Sequence, residues 1–192
     1  MKTSKEYRLE AKAALKGNWG YAIAIVLLFS AAIGALSATF VGGIVLTGAL
    51  MIGYAYAMIQ FCRRGSFKIE DLLQGFKTDN FTATIGLYVK MTIFIFLWSL
   101  LFCIPGIIKS YAYSMAPYIM ADHPNITGGQ AITASQNLMK GKKAKLFCLH
   151  LSFIGWILLC VLTCGILTIW VGPWMEVAQA RFYESIKDEV QL

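Results

Sequence analysis

The chain has 192 residues, 58% of them hydrophobic in type and only 14% charged. Soluble domains average about 45–50% apolar and about 25% charged residues, so an ordinary water-soluble globule is excluded: too much of a small domain touches solvent. The net charge of +7 would suit nucleic acid, but its placement along the chain assigns it a different partner.

The chain opens on a charged, helix-favouring segment, Met1–Gly20. Ser4 to Lys16 reads as a helix with a modest apolar stripe of Tyr7, Ala11, Ala14 and Leu15, closed by Gly17. A cleavable signal has a short basic start and an apolar core of about 7–15 residues. The apolar run here is far longer, so the first span is expected to be a permanent anchor. From Gly17 to Cys62 there is no Asp, Glu, Lys or Arg. A hydrocarbon core roughly 30 Å thick takes about 20 apolar residues per helical crossing. Two spans are therefore expected, Tyr21–Phe40 and Ile44–Cys62, turning at Gly42-Gly43. On the first, Ser30, Gly34 and Ala38 recur every four residues, a spacing that lets backbones approach closely in lipid. Their partner is either another helix of this chain or a second copy.

A polar segment follows, Arg63–Asn80, with a short helix over Ile69–Gln74 that closes at Gly75. Phe81–Cys103 and Ile107–Ala121 are the next two spans, turning at Pro105-Gly106, with Lys90 and Lys109 as the only charges between Asn80 and Ala121. Asp122–Lys145 is polar again; within it Thr127–Lys140 carries Ile132, Ser135, Leu138 and Met139 and ends at Gly141. The last two spans are Leu146–Thr163 and Ile166–Tyr183, turning at Gly165.

Nearly all of the 17 basic residues sit in the three long polar segments and at the C-terminal end. The positive-inside asymmetry puts those segments and both termini in the cytoplasm. The expected fold is an all-α integral membrane protein of about six transmembrane helices in three hairpins. A cytoplasmic, interfacial amphipathic helix precedes each hairpin. The expected location is the plasma membrane, with anionic lipid headgroups as the partner of the basic helices and a second copy or a membrane protein as a further partner. Nucleic acid is not needed to explain the charge.

The polar segments resemble one another. Leu15-Lys16-Gly17, Leu73-Gln74-Gly75 and Met139-Lys140-Gly141 each precede a span, and glycine suits the left-handed position that closes a helix. The outgoing helices match as well: Tyr54-Ala55-Tyr56-Ala57-Met58 parallels Tyr111-Ala112-Tyr113-Ser114-Met115, and Val177-Ala178-Gln179-Ala180-Arg181 fits more loosely. The single membrane domain, 1–192, thus reads as three parallel repeats, 1–62, 63–121 and 122–192, about an axis along the membrane normal.

An ionisable group inside a span is costly and marks a functional candidate. Lys90 either snorkels to the near interface, forms a buried pair, or serves a substrate or proton. Its natural partner is Glu176, the acid inside the last apolar helix, just after Gly172-Pro173 where a broken helix would aim backbone groups inward. Tyr54, Tyr56, Tyr111 and Tyr113 are candidate cavity-lining residues, with interface anchoring and core packing as alternatives. The cysteines (Cys62, Cys103, Cys148, Cys160 and Cys164) lack the spacing of a zinc or redox motif and read as small apolar residues. His150 reads as a lone polar residue near the start of a span. No metal motif, phosphate loop or paired carboxylates appear, so neither a cofactor nor catalysis is expected.

Several stretches carry a resemblance. They are Leu15-Lys16-Gly17-Asn18-Trp19, Leu97-Trp98-Ser99-Leu100-Leu101, Ile104-Pro105-Gly106-Ile107-Ile108-Lys109-Ser110-Tyr111-Ala112-Tyr113-Ser114-Met115, Leu151-Ser152-Phe153-Ile154-Gly155-Trp156 and Arg181-Phe182-Tyr183-Glu184. Together they resemble the bacterial membrane-protein family known as domain of unknown function 975. The resemblance spans nearly the whole chain, with Trp174 standing where the family tends to have tyrosine. It implies a polytopic membrane protein and transfers no activity. The function expected is a non-enzymatic module that binds lipid or an amphiphile, transporter-like or export-accessory. The alternative is a membrane-shaping scaffold or an immunity-like interaction protein.

Overall fold

In the computed structural model, which describes residues 3–37, 40–66, 68–77, 81–101, 103–163 and 165–190, every regular element is helical. Helix α1 (Ser4–Leu15) starts on a capping box: Thr3 Oγ1 accepts from Glu6 N at 3.4 Å and Thr3 N donates to Glu6 Oε2 at 2.6 Å. Each half of the box satisfies a backbone or side-chain group that a bare helix start leaves open. Gly17 at φ 92° ends the turn, and the chain bends by 101° into α2 (Trp19–Ser37).

Helix α3 runs Phe40–Arg64. Gly42-Gly43 therefore lies inside a helix and is not the turn; positions 38 and 39, between α2 and α3, lie outside the described residues. A 3-10 turn, Ile69–Leu73, leads into the single turn α4 (Gln74–Lys77). Gly75 is helical there, in contrast to Gly17 and to Gly141 at φ 72°. The second connector is short because it lies directly on α3: a Cβ on Gly53 would stand 1.9 Å from the Leu72 carbonyl oxygen.

Helix α5 (Phe81–Leu101) is followed by α6 (Cys103–Tyr113) and α7 (Ala116–Asp122). Pro105-Gly106 sits in the first turn of α6 and is not a hairpin turn; a helix start has no partner for the missing N–H. The expected span Ile107–Ala121 is instead broken at Ser114-Met115, with Pro117 opening α7. Helix α8 (Gly128–Leu138) has the same cap as α1, with Thr127 N donating to Gln130 Oε1 at 2.8 Å. Helices α9 (Lys143–Leu151) and α10 (Ile154–Leu162) make one long run, and Gly165 at φ 86° turns the chain into α11 (Thr168–Glu184). Gly172-Pro173 does not break α11; Pro173 removes one backbone hydrogen bond and the helix continues through it.

The amphipathic stripes of the connectors face protein rather than lipid. Tyr7, Ala11 and Leu15 are buried where α1 packs on α11 and α9. Tyr7 Oη bonds Ser185 Oγ at 2.6 Å, Trp174 Nε1 donates to the Arg8 carbonyl at 2.7 Å, and Arg8 donates to the Ser152 carbonyl. Lys12 stands 5.6 Å above the Trp174 ring, a favourable cation–π distance. Ala131, Ile132, Ser135 and Leu138 of α8 are buried against α5, α6 and α7, with Ser135 Oγ donating to the Ala112 carbonyl at 2.7 Å.

The outgoing helices meet at their C-terminal ends. Arg63 on α3 bonds Asp122 at the end of α7 at 2.7 Å and Glu184 at the end of α11 at 2.9 Å. Tyr183 Oη adds a bond to Asp122 at 3.1 Å, and Lys187 reaches Glu184 at 3.0 Å. Burial alone would lower the Arg63 pKa; the two carboxylates outweigh it and hold the guanidinium above its ordinary value.

Large apolar side chains cover the outside. Phe96, Ile154, Leu158, Val161, Leu162 and Ile166 are each more than half exposed, and Cys160 is the one buried side chain of α10. Among the described residues, Lys143–Leu162 is long and apolar enough to cross a membrane as one helix. Trp19–Gly34 passes the same criterion only together with the sharply bent α1, and Ala83–Leu97 is apolar but shorter.

Two outcomes follow from this packing. Gly53→Ala should lose about 1–3 kcal/mol by overpacking, read as a lower Tm, whereas Gly34→Ala, with open space around it, should lose nothing; equal melting of the two variants would contradict the close approach of Leu72. Asp71 is buried with Oδ2 unpartnered, and burial raises its carboxyl pKa. A raised folded pKa means a contribution that is full below the unfolded value near 3.8 and is lost as pH rises through the folded one. Asp71→Asn should therefore melt no lower than the parent at pH 7, and any advantage should vanish as pH falls below about 4. A large neutral-pH loss would show that the 3.9 Å pair with Arg64 outweighs desolvation.

Candidate ligand-binding site

A cavity of about 460 Å³ opens between α3 and α5, with Pro117 of α7 at its edge. Its floor is buried: Ile52, Leu87 and Thr84. Its mouth is exposed: Met51 and Phe96. The two helices are brought together at Gly48, where a Cβ would lie 2.9 Å from Tyr88 Cβ. Gly48 and Tyr88 themselves belong to the cavity's lining.

Thr84 is the residue that gives the cavity chemistry. It is 1% exposed, and its Oγ1 has no hydrogen-bond partner. A hydroxyl is one donor and two acceptor sites, and leaving it buried and unpaired costs about 1–3 kcal/mol. Thr92, two turns further along α5, is satisfied by the Tyr88 carbonyl at 2.9 Å. The site therefore has a largely apolar wall with two flexible methionines (Met51 and Met91), and its floor includes Thr84, whose buried hydroxyl is unpaired. That arrangement suits a ligand with an apolar body and a single polar group. Among the described residues its lining holds no acid–base or nucleophile pair.

The residues singled out in the sequence go to several places. Lys90 is exposed on α5, its Nζ 3.6 Å from where a Cβ on Gly129 would stand, above the start of α8. Glu176 lies instead within electrostatic reach of the Tyr54 and Tyr118 hydroxyls, and no ion pair joins it to Lys90 among the described residues. Tyr54 is buried and stacked on Phe29 at 4.4 Å. Tyr56 packs partly buried against the core, and Tyr113 is buried 6.4 Å from the Phe94 ring. None of these three lines the α3–α5 cavity. Ser30 and Gly34 lie on the exposed side of α2, opposite to the buried Ala22 and Ile25, and Ala38 lies outside the described residues, as does Cys164.

His150 is not a lone polar residue. Its Nδ1 meets Tyr111 Oη at 3.1 Å and its Nε2 meets Gln179 Oε1 at 3.2 Å. With the proton on Nε2, both contacts are satisfied by one neutral tautomer: Tyr111 donates to Nδ1, and Nε2 donates to the amide oxygen. This chain pins α6 to α9 and α9 to α11.

The family model described as protein of unknown function (DUF975) matches residues 1–109 and 100–190. The chain belongs to this family. No curated protein and no solved structure matches it. Membership in DUF975 brings no site residues with it, so the cavity stands on its own geometry. Among the described residues no group of three His, Cys, Asp or Glu side chains comes together as a metal site would require.

Thr84 has a sequence signal of its own. Thr84, Tyr88 and Thr92 recur every four residues and share one face of α5. If the hydroxyl is held unpaired for a ligand, Thr84→Val should raise the stability of the ligand-free DUF975 protein by about 1–3 kcal/mol. A thermal melt that drops on this substitution would reveal a hydrogen bond that Thr84 makes in the folded protein.

Proposed function

We propose that this DUF975 protein is a multi-pass membrane protein, its three hairpins crossing six times with both ends cytoplasmic, that binds an amphiphile in the α3–α5 cavity without catalysing a reaction on it. The unpartnered Thr84 hydroxyl at the floor of an otherwise apolar, side-opening cavity is the observation that carries the binding. The exterior supports the bilayer. A nine-residue helix such as α10 with Cys160 as its one buried residue would expose its aliphatic side chains to water at about 25 cal/mol per Å², and a hydrocarbon solvent removes that cost. The ion pairs support a single wet side: Arg63, Arg64, Asp71, Asp122, Lys142, Glu184, Lys187 and Glu189 all belong to connectors or helix ends.

The threefold repeat gains support from three features. Helices α1 and α8 share a cap and a closing glycine with positive φ. The aligned alanines Ala55, Ala112 and Ala178 are all buried. Each connector packs against the outgoing helix of the unit before it: the 3-10 turn on α3, α8 on α6 and α7, and α1, closing the circle, on α11. A transporter-like or export-accessory protein uses a side-opening cavity of this kind. A membrane-shaping scaffold or an immunity-like protein has no need of an unpaired interior hydroxyl.

The test is photolabelling of the detergent-purified protein with a long-chain alcohol carrying a mid-chain diazirine. Adducts are expected in Gly48–Ile52 and Thr84–Phe96, and Met91→Trp, which fills the cavity, should lower them about tenfold, the equivalent of about 1.4 kcal/mol. Adducts spread evenly over the apolar wall, or unchanged in the Met91→Trp variant, would overturn the binding reading. Recovery of the chain from a detergent-free lysate as a monodisperse species would overturn the membrane reading.

A further inference from the structure

We propose that the groove between α6 and α9 is a binding site for one anionic phospholipid, with the phosphate at Lys143 and an acyl chain along Ile107, Ile108 and Phe147. The inference rests on the membrane placement proposed above and is independent of the α3–α5 cavity. The groove measures about 270 Å³ and is lined by Ile107, Ile108, Tyr111, Lys143, Ala144 and Phe147. It has a direction. Phe147 is about one turn into α9 from Lys143, and Ile107 is about one turn back along α6 from Tyr111. The Tyr111 and Phe147 rings meet edge-on at 5.9 Å. Lys143 therefore marks the charged end, and Ile107, Ile108 and Phe147, each about half exposed, line the oily length.

The charges at that end are unbalanced. Lys142 is engaged by Glu189 at 2.6 Å, and the Tyr111 hydroxyl is held by His150. Lys143 has no carboxylate partner among the described residues. Lys143 lines the groove and is only partly buried, so its aliphatic stem can cover apolar surface while its ammonium reaches the water layer, as a snorkelling lysine does. A phosphodiester supplies the missing anion at the depth where a lipid's chains begin. A choline lipid would bring its own cation against Lys143, so the site distinguishes phosphatidylglycerol from phosphatidylcholine by charge.

The experiment is native mass spectrometry of the purified full chain, equilibrated with equal amounts of the two lipids in detergent. Phosphatidylglycerol should be retained in preference to phosphatidylcholine. Lys143→Gln should lower its retention about fivefold, the effect expected of one lysine near an anionic surface. Lys143→Arg should restore it, and Lys140→Gln, outside the groove, should leave it unchanged. Ile108→Trp should block the groove and lower retention of both lipids. Met91→Trp should leave phosphatidylglycerol bound, so failure here and failure of the cavity reading separate cleanly. Equal retention of the two lipids, a Lys143→Gln variant that behaves like Lys140→Gln, or displacement by glycerol phosphate alone would overturn the proposal.

Discussion

Arg63 is the interaction on which the bundle's geometry depends. Its planar fork presents Nε to Glu184 and a terminal nitrogen to Asp122, so one side chain fixes the relative height of α3, α7 and α11. Arginine does this where lysine would not, because its donors are rigidly spaced and matched to carboxylates. The cluster is partly open to water, Arg63 being about a third exposed, so each pair contributes modestly by itself and its value lies in the alignment it sets. The oily exterior makes the constraint stricter: charges that cannot be placed along the wall must be gathered at the ends, and there they are used to set the register.

A second closure depends on the first. The end of α11, held by Arg63, is also what α1 docks on, through Tyr7, Ser185, Phe182 and Trp174. The Trp174 indole N–H reaches the Arg8 carbonyl and its ring receives Arg8 and Lys12, so Trp174 is part of the clasp between the chain's first and last long helices.

Much of the architecture was legible because apolar runs and glycine punctuation are local signals. All-helical character, the helices beginning near Ser4 and Gly128, and the turn at Gly165 came from composition, periodicity and the αL preference of glycine. The turns at Gly42-Gly43 and Pro105-Gly106 did not hold, because glycine and proline are also tolerated in a first helical turn, and sequence alone does not say which side of a break they occupy. The stripe of α1 was read correctly as a stripe and assigned to the wrong neighbour: Tyr7, Ala11 and Leu15 have the same periodicity whether they meet lipid or α11, which is far away in sequence. For the site, attention to charge selected Lys90 and Glu176, which face different surroundings. The cavity was built instead from neutral residues, and only the Thr84–Tyr88–Thr92 spacing hinted at it.

The proposed repeat, if it describes the chain, gives the two apolar openings a common origin. Aligning Tyr54, Tyr111 and Val177 places Met51, Ile108 and Trp174 at one position. Met51 lines the α3–α5 cavity and Ile108 lines the α6–α9 groove. Both openings lie between the outgoing helix of one unit and the incoming helix of the next. At the third position Trp174 is buried against Phe153 and Trp156, at 5.0 and 5.4 Å, held there by the α1 clasp. In the proposed repeat, the side chain at this single aligned position differs at each of the three seams. Divergence at that position, with the backbone plan retained, is a simple way for one fold to carry a neutral hydroxyl site on one seam and a cationic site on the next.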